Sequence, residues 1–490
     1  MNRTGQGRPS SSPSSTSAPS APQLLEQVVL EALAQHVSPE RIEAALQETN
    51  RRRRRKRRVR KLPAAAVIWL VIAIGLWSDT DVPSLWRQVV GTLASLWRAA
   101  TTAAGSDGSK PPCKSALSQA RTRLGPRPLR LLFKSTAKAA KPKTTRGAMY
   151  KMMPLKAMDG DDFTLADTPA NVKAFGKPTT SRDGKRVSAG HPHAHVTRLI
   201  EVGTRMTLEA LIKPQHAVDR PSAPYLLRNC SRGDLVLWDC GFYSYKLIRQ
   251  ALDQGTFALG PVASPIVLDC VRRLSDGSFL AKVYPDSKRR ERDKHGVMVR
   301  VIEYTFDDPA RPGHGERHRL VTTLLDAEAY PAAELIVLYH ERWEIEIAND
   351  EITTHLLAGR TASTELRSKT PAGVVQEIYG VLLAHNAVRA LMVEAAATID
   401  VDPRTLSFMH AVRVIRETIP LMRSARTEQL PALYAAMLRH IAVGVLPPRD
   451  NRINPRVVKV KMSNFKKKRP EHYNWPQPTK PFAESIVMLN

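Results

Sequence analysis

Side chains able to handle a phosphodiester gather on one predicted helix in the second half of the chain. Residues 331–357, PAAELIVLYHERWEIEIANDEITTHLL, open on a proline suited to a first helical position, contain no interior proline and are followed by Gly359. An uninterrupted helix of that length would run about 40 Å. At 100° per residue Tyr339, Arg342 and Glu346 fall within one arc. An aromatic hydroxyl, a guanidinium and a carboxylate there could together meet a metal-bound phosphate. The same pattern also describes a solvated face with an i,i+4 ion pair. Phosphodiester cleavage asks for two divalent ions about 4 Å apart, one activating the nucleophile and one stabilising the leaving oxygen. Hard cations prefer oxygen, so three converging carboxylates are the minimum set. Glu346 therefore needs two aspartates. Asp239 follows the apolar run DLVLW, where a charge would be unwelcome in a core, although it could also cap the next helix. Asp159 ends a short apolar run, but Asp161, Asp162 and Asp167 crowd it, and the stretch reads equally as a polar turn. His191, His193 and His195 would share one strand face, yet no further ligand lies at a diagnostic zinc spacing. No Walker A loop or dinucleotide-binding glycine run occurs, which disfavours an ATP-driven recombinase or helicase.

The elements that must position these residues alternate in period. Residues 155–158 predict a short strand ending at Asp159-Gly160. Residues 195–202 and 204–211 predict a hairpin turning at Gly203, residues 234–238 a strand, and residues 243–254 a helix. Residues 267–284, 297–306 and 317–325 alternate like strands, with Asp276-Gly277 as a hairpin turn. A helix from Thr370-Pro371 to about residue 397 should pack on the 331–357 helix.

Before residue 140 the chain reads as helical. Residues 1–21 are Ser, Pro, Gly and Thr with few apolar side chains, too few to offset ordering entropy. A short amphipathic helix over residues 23–34 and a second one beginning at Ser38-Pro39 lead into ten cations within residues 51–61. Residues 62–77, LPAAAVIWLVIAIGLW, fall short of the length needed to span a membrane and predict a buried core helix. An apolar stripe at helical spacing follows over residues 82–97. Residues 115–124 and 127–134 predict two short helices across Gly125-Pro126. This helix-turn-helix-like pair carries Arg121, Arg123, Arg127 and Arg130 as candidate DNA contacts.

Over 490 residues Lys and Arg exceed Asp and Glu by 28, so a polyanion is the expected partner, nucleic acid first. The four cysteines form no C-x-x-C pair, which fits a reducing compartment.

The string Tyr339-x2-Arg342-Trp343-x2-Glu346 resembles the signature of insertion-sequence DDE transposases of the insertion element 4 family. Residues 366–389, LRSKTPAGVVQEIYGVLLAHNAVR, are similar to its continuation, M-D-G followed by DTPAN to its first-aspartate segment, and LVLWDCGFYS to its second. RKLPAAAVIWLVIAIGL and KSALSQARTRLGPRPLRLLF look like its N-terminal domain. The resemblance implies an α/β fold: a ribonuclease H-like catalytic core with a β-rich insertion, preceded by an all-helical N-terminal DNA-binding domain. The expected divisions are a tail (1–21), the helical domain (22–140), the first part of the core (145–256), the insertion (257–330), the catalytic and packing helices (331–400), and C-terminal helices with a basic tail (401–490). It implies that Asp159, Asp239 and Glu346 hold two Mg²⁺ or Mn²⁺ ions and cut DNA. Tyr339 and Arg342 would contact the transposon-end phosphate, and Trp343 would pack the helix onto the core. Further implied are double-stranded inverted-repeat and target DNA as partners, a homodimer in the synaptic complex, no membrane or ATP, and a prokaryotic cytoplasmic, nucleoid-associated location. Two positions depart from the family pattern: Thr353 stands at its lysine and Cys240 at an arginine. A decayed copy that only binds DNA, or a related nuclease that does not join strands, are the alternatives.

Overall fold

The fold is described from a computed structural model covering residues 37–50, 62–86, 112–139, 145–182, 185–188, 190–217, 219–357, 365–447, 457–458, 466–467, 469–470 and 477–489. The arginine-rich run at 51–61, the helix expected at 23–34, most of the stripe at 82–97 and Arg360 lie outside these residues.

The N-terminal part contributes α1 (Ala64–Leu76), α2 (Lys114–Leu124) and α3 (Arg127–Ala139). Residues 66–76 of α1 are buried all round, because the helix is apolar on every face and has to lie inside protein. Gly125, at φ +67°, separates α2 from α3 and marks the turn foreseen there.

One mixed sheet of eleven strands organises the rest. After the two-residue strand Met149–Tyr150, which pairs with the start of the next one, come β1 (Met153–Thr164), β2 (His193–Glu201), β3 (Thr207–Pro214), β4 (Leu235–Leu237) and β5 (Phe257–Pro261). They lie in the order β3-β2-β1-β4-β5. β3, β2 and β1 are antiparallel neighbours, whereas β1, β4 and β5 run parallel. The amphipathic helix α4 (Tyr245–Gln254), capped by Ser244, makes the crossover that parallel pairing demands. The sheet continues through β6 (Cys270–Arg273), β7 (Phe279–Val283), β8 (Val297–Phe306) and β9 (His318–Thr322). β9 pairs antiparallel with β5, so the strands expected as a separate insertion continue the same sheet as β1–β5.

β1 runs on through Asp159-Gly160 to Thr164, and no turn forms there. Residues 156–164 pair with β2 throughout, and that ladder outweighs the local turn preference.

The expected 40 Å helix is interrupted. α5 (Ala332–His340) ends at Glu341, α6 (Trp343–Asp350) begins after Arg342, and residues Glu351–Leu356 form a π-turn. At the break the amides of Glu341, Arg342, Glu344 and Ile345 each donate to the carbonyl three residues earlier, the tightened 3₁₀ pattern. The path narrows before Glu346 and widens after it.

The following helix, α7 (Pro371–Thr398), is capped by Thr370 and is long and apolar enough to cross a membrane. However, 83% of that apolar window is buried inside the chain. It packs on α1 with almost no separation: a Cβ on Gly75 would meet the Cα of Val381 at 2.8 Å, and one on Gly380 the carbonyl oxygen of Val71 at 2.5 Å. α8 (Phe408–Ser424) and α9 (Leu430–Ala442) complete this helical layer. Apolar residues from α1, α2, α3, α7, α8 and α9 form one cluster, so the N-terminal helices share a core with the C-terminal ones. At the end of the chain β10 (Ile486–Met488) joins the sheet beside β8.

Candidate active site

The pairing of β1 with β4 sets the site. Leu155 lies opposite Leu235, Lys156 opposite Val236 and Ala157 opposite Leu237. Asp159, two residues beyond Ala157, and Asp239, two beyond Leu237, therefore leave the paired region at the same end of these two parallel strands. Asp239 lies past the end of β4, where it accepts the Gly241 amide at 2.9 Å. It does not cap α4, whose cap is Ser244. Asp159 accepts the Gly160 amide at 2.9 Å.

α6 carries Glu346 to the same place. Burial pushes the Asp159 carboxyl up to about 7; Arg342 and the Gly160 amide oppose this, and the charges of Asp239 and Glu346 add to it. Asp161, two residues on along the same strand face, is raised by burial against Arg198, a fully buried guanidinium that acts on Asp159 as well. The structure thus brings Asp159, Asp239 and Glu346 into one electrostatic cluster.

Arg342 sits between them. Its Nη2 donates to Glu346 at 2.7 Å and its Nη1 stands 3.8 Å from Asp159. Its guanidinium lies 6.0 Å from the Tyr339 ring and 5.7 Å from the Trp343 ring. Burial alone would depress Arg342, but Tyr339, Glu346 and Asp159 outweigh it and hold the guanidinium above its ordinary value. Burial raises the Tyr339 phenol to about 12, against Arg342, so it stays protonated at neutral pH. Trp343 is 40% exposed and does not pack the helix onto the core; that task falls to Ile345 and Ala348.

The donor set is all carboxylate, which in kind suits hard divalent cations. Among the described residues no three His, Cys, Asp or Glu side chains converge closely enough to ligate one ion. With Arg342 bridging Asp159 and Glu346, a cation would have to displace the guanidinium.

The rear of the same helical path is anchored by charge. Glu341 pairs with Arg404 and Glu344 with Arg205. Glu351 accepts from Arg389, from Arg205 at 2.9 Å and from His385 at 3.0 Å. Arg205 sits in the β2–β3 turn at φ +58°, a conformation that costs a non-glycine residue energy. No motif in the sequence marks these rear-face residues. One signal was available: His385 and Arg389, four apart, interrupt an otherwise apolar helix, a spacing that turns both to one buried partner.

Thr353 lies in the π-turn, where its hydroxyl donates to the Asn349 carbonyl at 2.8 Å. The histidine row holds no metal cluster. His195 is clasped between Asp162 at 2.9 Å and Asp219 at 2.8 Å, and His191 lies 3.5 Å from Glu365.

The arginines of the helix pair divide. Arg121 turns inward, donating to Ser368 at 2.9 Å and to the Gly373 carbonyl, and so braces the α7 start instead of facing solvent. Arg123, Arg127 and Arg130 are exposed. Arg127 and Arg130 line a cleft of about 600 Å³ with Lys134, Ile212 and Tyr379.

With this geometry in view, the chain falls in the class of DDE transposases: residues 151–387 match the transposase DDE domain. Residues 27–134 match the insertion element 4 transposase N-terminal domain. The chain belongs to the insertion element 4 family. The transposase InsG for insertion sequence element IS4 of Escherichia coli K12 is 27% identical over 437 residues, covering 88% of this chain and 92% of that one. The putative transposase InsZ of the same organism is 27% identical over 198 residues, 40% of this chain and 60% of its own. Among solved structures, the piggyBac transposase synaptic complex with hairpin DNA aligns with a TM-score of 0.40 at 14% identity, covering 87% of this chain and 85% of that one.

Proposed function

We propose that this transposase works by cut-and-paste. A helical N-terminal region would bind the terminal inverted repeats, and a ribonuclease H-like core, extended by the inserted strands, would cleave and join DNA as a homodimer. The observation that carries the reading is that Asp159 and Asp239 leave the same end of two paired parallel strands while Arg342 ties Asp159 to Glu346, and the charges of Asp239 and Glu346 both act on the Asp159 carboxyl. Asp159, Asp239 and Glu346 would hold two Mg²⁺ or Mn²⁺ ions, which when bound supply the activated nucleophile and stabilise the leaving oxygen. The chain's own residues do the rest. Arg342 releases Asp159 and turns its planar donor fork to a backbone phosphate, a geometry that suits it better than a lysine. Tyr339, protonated, donates a hydrogen bond to the same phosphate. Arg123, Arg127 and Arg130 add salt-sensitive phosphate contacts.

One observation favours a second reading, a copy that binds DNA without cutting it. Thr353 supplies no cation, and its hydroxyl is spent on Asn349. The test is incubation of the purified protein with labelled inverted-repeat ends in Mg²⁺ or Ca²⁺. Mg²⁺-dependent nicking should be abolished by Asp159→Ala, Asp239→Ala and Glu346→Gln, each with end binding retained. Binding without nicking by the unaltered chain would establish the second reading.

A further inference from the structure

Residues 479–489 are fastened to the end of α5, the helix that carries Tyr339 and leads into Arg342. β10 takes up the sheet position beyond the end of β7. β7 pairs with β8 as far as Val301, and β10 pairs with it from Tyr304 to Phe306. Flanking backbone bonds extend the ladder, from Leu489 to the Glu303 carbonyl at 2.9 Å and from Asp307 to the Ser485 carbonyl at 3.0 Å. The segment before β10 is tied down by side chains. The fully buried Asp308 accepts the amides of Thr479 and Lys480 at 2.9 and 3.2 Å and the Thr479 hydroxyl at 3.1 Å. Arg311 donates to the Lys480 carbonyl at 2.9 Å, and its guanidinium lies 5.2 Å from the Phe482 ring.

Phe482 is where this strap reaches the site. Its ring stacks on His340 at 3.8 Å between centroids and 22° between planes. His340 ends α5, next to Tyr339 and two residues before Arg342, where the helix loses its regular hydrogen bonds. Phe482, Ile486 and Met488 also pack on the cluster that contains Leu335, Leu338, Ile345 and Ala348. A helix broken at its functional residues needs support from outside itself, and an aromatic stack supplies orientation as well as area.

We propose that the C-terminal strap is part of the active-site machinery and that Phe482 is a positioning residue. Acting through His340, it fixes the end of α5 and so the directions of Tyr339 and Arg342. The catalytic consequence rests on the transposase reading above; the positioning itself does not.

Two measurements on the full-length protein separate them. The first is amide hydrogen exchange over residues 332–350. Phe482→Ala should accelerate exchange at residues 338–346 by roughly tenfold, the scale set by losing one aromatic pair. Phe482→Tyr should restore protection, and exchange in α7 should not change in either variant. The second is single-turnover nicking of end DNA in Mg²⁺. Phe482→Ala should slow it by about tenfold or more. Its Kd for the ends should stay within about twofold, and Phe482→Tyr should recover most of the rate. Unchanged exchange at residues 338–346 in Phe482→Ala would overturn the proposal, as would equal impairment by Ala and Tyr. Loss of protection in α7 as well would also overturn it, because the effect would then be general unfolding. If the unaltered chain fails to nick while the exchange pattern appears, the positioning stands and the enzyme reading falls.

Discussion

Replacing Glu351 by Gln should destabilise the protein severely, although the side chain keeps its size and much of its hydrogen-bonding capacity. Glu351 is 3% exposed, and its partners Arg389, His385 and Arg205 are 0%, 0% and 5% exposed. Burial would raise its pKa, but Arg389, Arg205 and His385 hold the carboxyl far below its ordinary value. His385 is pulled below its ordinary value, chiefly by burial. The guanidiniums of Arg205 and Arg389 then face Glu351 and Glu344, with the buried Arg198 also acting on Glu351. Glu351→Gln leaves one positive charge buried without a counter-charge. Breaking one partner of a buried ion cluster costs ~3–5 kcal/mol, a large share of the ~5–15 kcal/mol that holds a domain together. The assay is urea unfolding at pH 7. Because the folded pKa is depressed, this contribution is present above the unfolded value of 4.5 and is lost as pH falls through and below it. The gap between the unaltered protein and Glu351→Gln should therefore narrow towards acid pH. A double change, Glu351→Met with Arg389→Met, should recover part of the loss, since it removes opposite charges together. A Glu351→Gln variant within about 1 kcal/mol of the unaltered protein at pH 7, or a gap that widens in acid, would refute the reasoning.

His195 should stabilise the fold in the opposite pH sense. Its hydrogen bonds to Asp162 and Asp219 raise its pKa from 6.5 to about 9, so the contribution is complete below 6.5 and lost as pH rises through 9. That range corresponds to ~3 kcal/mol, reduced to ~1–2 kcal/mol because Asp162 is half in solvent. His195→Gln should therefore flatten the decline in unfolding free energy between pH 7 and pH 10, and an unchanged slope would count against the clasp. Thr353→Lys should raise strand transfer, most clearly at higher salt, by restoring a cation seven residues, about two helical turns, after Glu346. It gives up a hydroxyl bond worth ~1 kcal/mol, so a gain in activity should accompany a small loss in melting temperature. No gain in a chain that also fails to nick its ends would favour the DNA-binding reading.

Much of this molecule is legible in its sequence where local chemistry decides. Thr370-Pro371 caps and starts α7, and Asp276-Gly277 turns the β6–β7 hairpin with Gly277 at φ +84°. The spacing of Tyr339, Arg342 and Glu346 does gather three groups into contact. What escapes is decided at long range. Asp159-Gly160 has the composition of a turn, and only pairing with β2 keeps it in a strand. No glycine or proline announces the break at Glu341 and Arg342, which coincides with ion pairs from Arg404 and Arg205 far away in the chain. Arg121 looks like its solvent-facing neighbours until Ser368 and Gly373 arrive beneath it. Trp343 has the composition of a core residue and is 40% exposed, at the first residue of α6 just after the tightened turn. Ile486–Met488 is too short to read as a strand without β8 to receive it.

The strap at the end of the chain has a temporal consequence. Chains begin to fold from the N-terminus as they are made, and here the arginine-bearing helices α2 and α3 are complete long before Phe482 is synthesised. Because α1–α3 share their core with α7–α9, only a chain terminated after α9 would keep the exposed Arg123, Arg127 and Arg130 in place while the supports of Tyr339 and Arg342 were missing. On the function proposed above, such a product would occupy a transposon end without cutting it, so frameshifted or nonsense copies terminated between residues 447 and 479 should compete with intact protein rather than merely fail to act.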